Sequence, residues 1–410
     1  MSHAIGVPHI AASRLPNTYK AAGKLWRHSL HTICSRVAMF PPQLTHYFIM
    51  LYSSRGDVVA DCWAGVGTVP LQAGLDGRLG VGSDISPEAW EIMYAKLHPL
   101  TNSETTKYLD EIELRMKNMA SRKLDKLGLR IGMQHYYHKR TLGEVLKLRD
   151  LLRKDRASKV LSIRRRANFV TALMLGILHG DRTESLSINM DCSKAISPVH
   201  IISMQKKDPK EYRAEYRNAI SCLRIKAAKV LGCNIPEREM RGFAYKRKAE
   251  EFTLRKAARL VITSPPYLAV HGYAYDNRAR LWFLGFDYKK VQKELFSTSS
   301  LRRYLEYLGR TLARVSKNML HDSTLVLVLG DVRRDNGRVL RIGEVFANYW
   351  LRNYSKYLAL KRIVVDRIKP TRRRYFNLAE NEGIKCERIL VFEKGQPHSN
   401  DVSIDWNERY

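Results

Sequence analysis

The chain has 410 residues, of which 45% are hydrophobic, enough to fill the core of one large domain or two. Lys and Arg number 71 against 40 Asp and Glu, a net charge of +31 that solubility alone does not call for. Such an excess points to a polyanionic partner, because cationic side chains displace counterions from a phosphate backbone. The six cysteines are scattered with no Cys-x-x-Cys pair, which argues against a disulfide framework and a zinc site. No apolar run has the length of a membrane span and the start lacks a secretory segment, so a cytoplasmic protein with reduced thiols and no membrane partner is expected.

No Asp or Glu precedes Asp57, but this basic stretch runs into Phe40-Pro41-Pro42 and an apolar segment, so it is expected to belong to the folded domain. Residues 42–53 read as a helix opened by Pro41-Pro42 and closed by Ser53-Ser54-Arg55-Gly56. Residues 57–61 read as a short buried strand, Gly65 and Gly67 as a turn, and residues 68–75 as a helix starting at Thr68. Residues 79–84 form a second strand ending in Asp84, and Pro87 opens a helix to Leu97. This order begins a doubly wound α/β sheet.

From 100 to 255 the pattern turns to charged, helix-period stretches at 141–154, 165–179 and 207–231, with a polar loop at 181–199. This is read as a mostly helical insertion. Its Arg164-Arg165-Arg166 run reads as a solvated helix face, and His179 as a core or helix-end residue. Strand character returns at 260–262, 325–329, 363–365 and 389–392, with helices at 297–318 and 340–354. The last two strands, joined through 371–375, suit an antiparallel pair, and 395–410 reads as a polar tail.

Two motifs carry chemistry. Residues 61–68, Asp-Cys-Trp-Ala-Gly-Val-Gly-Thr, end a strand in a glycine turn, where an open α/β sheet binds ligands. Glycine leaves no side chain in the way of a ligand. Asp61 is placed to orient the loop or receive an ammonium group. Asp84, about twenty residues on, is placed to accept from ribose hydroxyls. The third glycine of the dinucleotide fingerprint is missing and no Lys-Ser/Thr pair follows, so a nucleoside ligand without a pyrophosphate fits better than NAD or ATP.

The second motif, Thr263-Ser264-Pro265-Pro266-Tyr267, follows a buried strand. Its prolines fix the chain direction and remove two N–H groups, freeing carbonyls to face a ligand. An aromatic amine is a weak nucleophile, and acceptors holding its N–H groups draw the nitrogen toward tetrahedral geometry. Ser264 Oγ and the Pro265 carbonyl are assigned to that work, Tyr267 to stacking on an extruded base. His271 lies just beyond, and a lone histidine is more often structural. Asn277 and Arg278 are placed to support the loop by hydrogen bonds, and Arg372, Arg373 and Arg374 to contact phosphate.

These motifs resemble the S-adenosylmethionine-dependent amino-methyltransferases of DNA, which methylate cytosine N4 or adenine N6. The resemblance covers most of the chain. Residues 36–97, with Arg36, Phe40-Pro41-Pro42, Gly56-Asp57, the glycine turn and Asp84-Ile85-Ser86-Pro87, look like the family's cofactor region, and Thr263 to Tyr267 its catalytic motif. Tyr273 to Arg278, Leu281 to Gly285, Gly330-Asp331-Val332, Glu387 to Phe392 and Gly176 to Gly180 resemble further segments of one branch. The resemblance implies a doubly wound, mixed seven-stranded Rossmann-like methyltransferase sheet with helices on both faces. It implies S-adenosylmethionine held by Asp61, Trp63, Gly65, Gly67, Thr68, Asp84, Ile85 and Thr263, and catalysis by Ser264, Pro265, Pro266 and Tyr267. The implied divisions are 1–99 for the cofactor part, 100–255 for the target-recognition insertion, 256–395 for the catalytic part and 396–410 for the tail. The implied partners are double-stranded DNA and, as a further candidate, a cognate restriction endonuclease.

Trp63 stands where the family has phenylalanine, and the Gly-Asp pair usual before the catalytic strand is absent; Gly242-Phe243, Glu250 and Glu251 are the nearest residues. By the same resemblance, serine at 264 leans toward cytosine N4. Adenine N6, an RNA base, and a non-catalytic nucleic-acid-binding module on the same fold stay open as alternatives.

Overall fold

The computed structural model describes residues 12–14, 27–36, 39–180, 182–188, 195–233, 241–268, 272–333, 339–367 and 386–395. His271, Arg372, Arg373, Arg374 and the 396–410 tail lie outside the described residues.

Among the described residues ten strands are formed: β1 (Ala12–Arg14), β2 (Val58–Asp61), β3 (Leu79–Ser83), β4 (Arg241–Tyr245), β5 (Ala258–Thr263), β6 (Met319–Gly330), β7 (Val332–Arg333), β8 (Val339–Leu340), β9 (Ala359–Arg367) and β10 (Cys386–Lys394). Eight build one sheet in the order β4-β3-β2-β5-β6-β10-β9-β1, and β7 pairs with β8. Neighbours are parallel except around β10, which runs antiparallel to both β6 and β9. This is the expected doubly wound mixed sheet of seven strands, with the three-residue β1 added beside β9 at one edge.

Period-two alternation sends successive side chains to two cores. Val58, Ala60, Val261, Leu325, Leu327, Leu390 and Phe392 face one side. That side is covered by α13 (Leu301–Ser316) and α14 (Ile342–Asn353), which bring Leu308, Leu312, Phe346 and Trp350. Val59, Leu260, Ile262, Val326, Val328, Ile389 and Val391 face the other, under α1 (Pro42–Tyr52) and α2 (Thr68–Leu75).

The insertion holds α4 (Asn102–Lys117), α5 (Lys126–Arg130), α6 (Lys139–Arg156), α7 (Leu161–Ile177), α8 (Pro198–Lys207) and α9 (Ala219–Val230). Its core, with Tyr108, Ile112, Leu148, Phe169 and Leu223, continues into Ile92 of α3 (Pro87–Leu97) and Trp282 of α11 (Arg278–Leu284). The single stretch expected at 207–231 is broken: α8 ends at Lys207 before Pro209, and α9 restarts at Ala219. A residue preceding proline is pushed out of the helical region, which accounts for the stop.

The insertion read as 100–255 contains one strand of the main sheet. Arg241–Tyr245 pairs in parallel with β3, from Arg241 beside Leu79 to Tyr245 beside Ser83. Its Gly, exposed Phe243 and flanking basic residues give an edge strand little apolar alternation to read.

Candidate active site

The chain runs from β2 outward through β3 to β4, then returns to β5 and proceeds the other way through β6. The order therefore reverses between β2 and β5, and a crevice opens at the carboxyl ends of strands flanking such a switch point. β2 ends in Asp61 and β5 in Thr263, so the two motifs leave the sheet side by side. They line a single cavity of about 440 Å³, together with Arg36, Phe40, Glu250, Phe296 and Tyr307.

The glycine turn is built by backbone geometry. Gly65 and Gly67 have φ of +51° and +76°, where side chains are disfavoured. A Cβ on Gly67 would sit 2.6 Å from Met93 Cγ, so this glycine seats α2 against α3 and does not line the cavity. A Cβ on Gly65 would meet only Arg36 Nη1, at 3.7 Å, leaving room for a ligand.

Asp84 accepts from Gly65 N–H at 2.9 Å with one carboxylate oxygen and from Ser86 N–H at 2.8 Å with the other. It therefore shapes the glycine turn as well as lining the cavity. Burial raises its pKa, against the pull of the Arg36 guanidinium. Arg36 in turn lies 3.3 Å from Glu88, which also takes the Ser86 hydroxyl.

Asp61 is 2% exposed, and its Oδ1 accepts from Trp63 N–H at 3.0 Å and from Thr263 Oγ1 at 2.6 Å. Burial raises its carboxyl to about 7, opposed by these two hydrogen bonds. Through these two bonds Asp61 ties the turn to β5, and it also borders the cavity. Thr263, expected at the cofactor, is fully buried, is absent from the cavity lining, and is bonded to Asp61 instead.

The Ser-Pro-Pro-Tyr loop is anchored at three points. Ser264 Oγ donates to Val328 O at 3.2 Å, Tyr304 Oη donates to Pro266 O at 2.9 Å, and Tyr267 N–H donates to Tyr273 Oη at 3.1 Å. Ser264, Pro265, Pro266 and Tyr267 all line the cavity, with Trp63, Thr68, Asp84 and Ile85. Burial raises the Tyr267 phenol well above its usual range, so the ring presents a neutral face.

Asn277 supports this loop at one remove: its Nδ2 donates to Tyr273 O at 2.9 Å. Arg278 does not support it. Buried, it donates to Ala195 O, Tyr275 O and Tyr136 Oη at 2.8–2.9 Å, tying α11 to the insertion. His179 is buried just past the end of α7, as a helix-end residue.

Sequence reasoning found Trp63 but missed Tyr307 and Phe296, which complete an aromatic wall with it. Trp63 Nε1 donates to Tyr307 Oη at 3.0 Å, Tyr307 Oη reaches Glu250 at 3.4 Å, and Phe296 stacks on Tyr307 with centroids 3.5 Å apart. Tyr307 lies on an amphipathic helix whose tyrosines read as core, and only the fold turns it toward Trp63. Lys248, Lys293 and Arg303 also line the cavity.

No family model matches this chain, and no curated protein matches it either. Among solved structures it is similar to an rRNA methyltransferase from Streptomyces viridochromogenes, with 10% identity, TM-score 0.33, and 93% of this chain and 94% of that one covered. It is similar to a provisionally assigned RNA methyltransferase from Pyrococcus horikoshii, with 10% identity, TM-score 0.32, and coverage of 94% and 93%. A provisionally assigned rRNA methylase from Clostridium thermocellum gives 10% identity, TM-score 0.31, and coverage of 85% and 95%. At such values the likeness carries no argument, and the fold class rests on the strand order and directions given above.

Proposed function

We propose that this chain is an S-adenosylmethionine-dependent methyltransferase acting on the exocyclic amine of a base extruded from double-stranded DNA, with cytosine N4 as the acceptor. The observation that carries the reading is the shared cavity: a glycine turn and a Ser-Pro-Pro-Tyr loop, about two hundred residues apart, open into one space at the switch point of the sheet. That space, at about 440 Å³, is in the size range of small-ligand sites.

The residues present fit the cofactor. Gly65 leaves the turn open, Asp84 and Ile85 follow β3, and Trp63 and Tyr307 offer flat apolar surface to a purine. When bound, S-adenosylmethionine supplies an electrophilic methyl carbon. The chain's own residues do the rest by positioning. Because the Ser264 hydroxyl donates to Val328 O, its proton is turned away, and its oxygen, which also meets the Tyr267 hydroxyl, is assigned to accept from the amine. The Pro266 carbonyl is engaged by Tyr304, and the Pro265 carbonyl is assigned to the second amine proton on sequence grounds. With both N–H groups held, the nitrogen lone pair is drawn out of the ring system. Tyr267 is the stacking surface for the base. Arg372, Arg373 and Arg374 are assigned to phosphate on sequence grounds, and the net charge of +31 suits a polyanionic substrate.

The test is incubation of the purified protein with methyl-labelled S-adenosylmethionine and separate pools of duplex DNA and RNA, followed by digestion to nucleosides and mass analysis. N4-methyldeoxycytidine is the expected product. N6-methyldeoxyadenosine would move the acceptor to adenine, label confined to RNA would overturn the DNA assignment, and no label with intact cofactor binding would leave a binding module.

A further inference from the structure

We propose that the Asp61–Thr263 hydrogen bond is a positioning link that holds the catalytic loop in register with the cofactor turn, which makes Thr263 a positioning residue of the reaction. The kinetic arm of this inference rests on the methyl-transfer reading; its geometric basis does not.

The two motifs belong to adjacent parallel strands that pair only at Val59–Leu260 and Ala60–Val261. Beyond Ala60 this ladder stops, while Asp61 stays paired with Gly82 of β3 and Thr263 with Leu327 of β6. Backbone pairing therefore does not fix the separation of the two loops where it matters. The side-chain bond does. Thr263 Oγ1 donates to Asp61 Oδ1 at 2.6 Å, across 202 residues of sequence. The same oxygen accepts from Trp63 N–H at 3.0 Å, so one carboxylate atom holds the first residue of the glycine turn and the last residue of β5. Both side chains are buried, at 2% and 0% exposure, and Cys62 Sγ closes the contact at 3.6 Å from Thr263 Oγ1.

A hydrogen bond to a buried carboxylate has no solvent to replace it, so removing the donor leaves the acceptor short. The residue after Thr263 is Ser264, whose oxygen must meet the amine, and the residues after Asp61 lead to Gly65. A shift of a few tenths of an ångström at the link is passed to both reacting partners. The groups facing Asp61 are Thr263 from β5, the Asp84 carboxylate beyond β3 and the neutral Cys62 thiol beside it. Loss of the Thr263 donor removes a lowering influence on Asp61, so its protonation moves to higher pH.

Thr263→Val keeps the shape and removes the donor; Thr263→Ser keeps the donor. With saturating S-adenosylmethionine and DNA, Thr263→Val is expected to lower kcat about ten- to a hundred-fold while the cofactor Kd changes less than about three-fold, and Thr263→Ser to restore kcat to within about three-fold. The acid limb of the kcat profile is expected to move to higher pH in Thr263→Val. Amide hydrogen exchange supplies a readout independent of turnover: with and without S-adenosylhomocysteine, the amides of Ser264, Tyr267 and Leu268 exchange faster in Thr263→Val, while those of α6 and α7 do not change. Unaltered loop exchange together with full kcat would overturn the link. So would equal damage in Thr263→Ser and Thr263→Val with faster exchange throughout, which would mark Thr263 as fold support alone. A wild type that transfers no methyl group would sink the methyl-transfer reading and leave the exchange comparison to decide the link.

Discussion

The cavity and the helical insertion hold their carboxylates in opposite ways. In the insertion, acids meet guanidinium groups: Asp155 binds Arg115 through two bonds of 2.6 and 2.9 Å, and Asp125 binds Arg149 at 2.5 Å. Burial pushes both acids upward, yet the arginine bonds and their neutral donors together win, and both pKa values are lowered. At the cavity, Asp61 is held by a backbone N–H group and a threonine alone, and Asp84 by two backbone N–H groups with the Arg36 guanidinium nearby, and burial wins: both are raised, Asp61 to about 7. A carboxylate neutralised by arginine is spent on structure. One held by neutral dipoles keeps its charge uncompensated and can serve a ligand or shape a loop. Glu91 marks the limit of the contrast, since Arg156 lies 2.5 Å away and full burial still raises it to about 7.

The largest expected effect breaks the cavity alone. Tyr267→Ala removes the stacking surface and is expected to cost at least about a hundred-fold in kcat/KM, with cofactor Kd and Tm nearly unchanged. Steady-state kinetics beside calorimetry checks it; joint loss of cofactor binding and Tm would mean misfolding. Next in size, Arg115→Ala breaks the insertion alone. It strips the two-bond partner from Asp155, which also takes Tyr108 Oη at 2.7 Å. The expected loss is about 2 kcal/mol of unfolding free energy, read by denaturant titration, with cofactor Kd unchanged.

A smaller effect, of opposite sign, sharpens the same rule. Lys96 on α3 is fully buried, and its Nζ has no hydrogen-bond partner among the described residues. Burial lowers its pKa to about 7. Below that pH the folded state must carry a buried, unpaired charge; between about 7 and the ordinary lysine value the unfolded chain binds more protons, so stability rises with pH. Lys96→Met keeps the length of the side chain and removes the amine. A gain of about 1–2 kcal/mol at pH 7 is expected, with a flatter profile from pH 7 to 10, measured by thermal melting across buffers.

How much of this was legible varies with what each residue answers to. The strands at 58–61, 79–83 and 258–263 were readable because hydrophobic runs end in glycine, acid or proline. The cavity lining was readable where a turn has to be glycine or proline. β4 was hidden because an edge strand needs no alternation. α4 went unread although Thr101 and Glu104 form a capping box before it. The motif alone suggests a cofactor role for Thr263, because position in a motif says nothing about which way a hydroxyl turns. That direction is set by Asp61, 202 residues earlier, through a contact no local pattern encodes.

The smallest expected effect tests Asp61 by pH. Its folded pKa of about 7 lies above the unfolded carboxylate value, so the folded state holds the proton more tightly. The stability this contributes is fully present at low pH and is lost as pH rises from about 4 through about 7. Asp61→Asn keeps an oxygen for Trp63 N–H and Thr263 Oγ1 and removes the titration. The variant is therefore expected to lose less stability over that window than the wild type, with Glu91, Asp84 and Asp331, raised by burial for the same reason, contributing to the residual slope. Parallel denaturant titrations at pH 4.5 and 7.5 read the difference. Equal slopes in the two proteins would mean that Asp61 is already ionised across the window, and that neutral donors at the cavity hold a carboxylate as firmly as arginine does in the insertion.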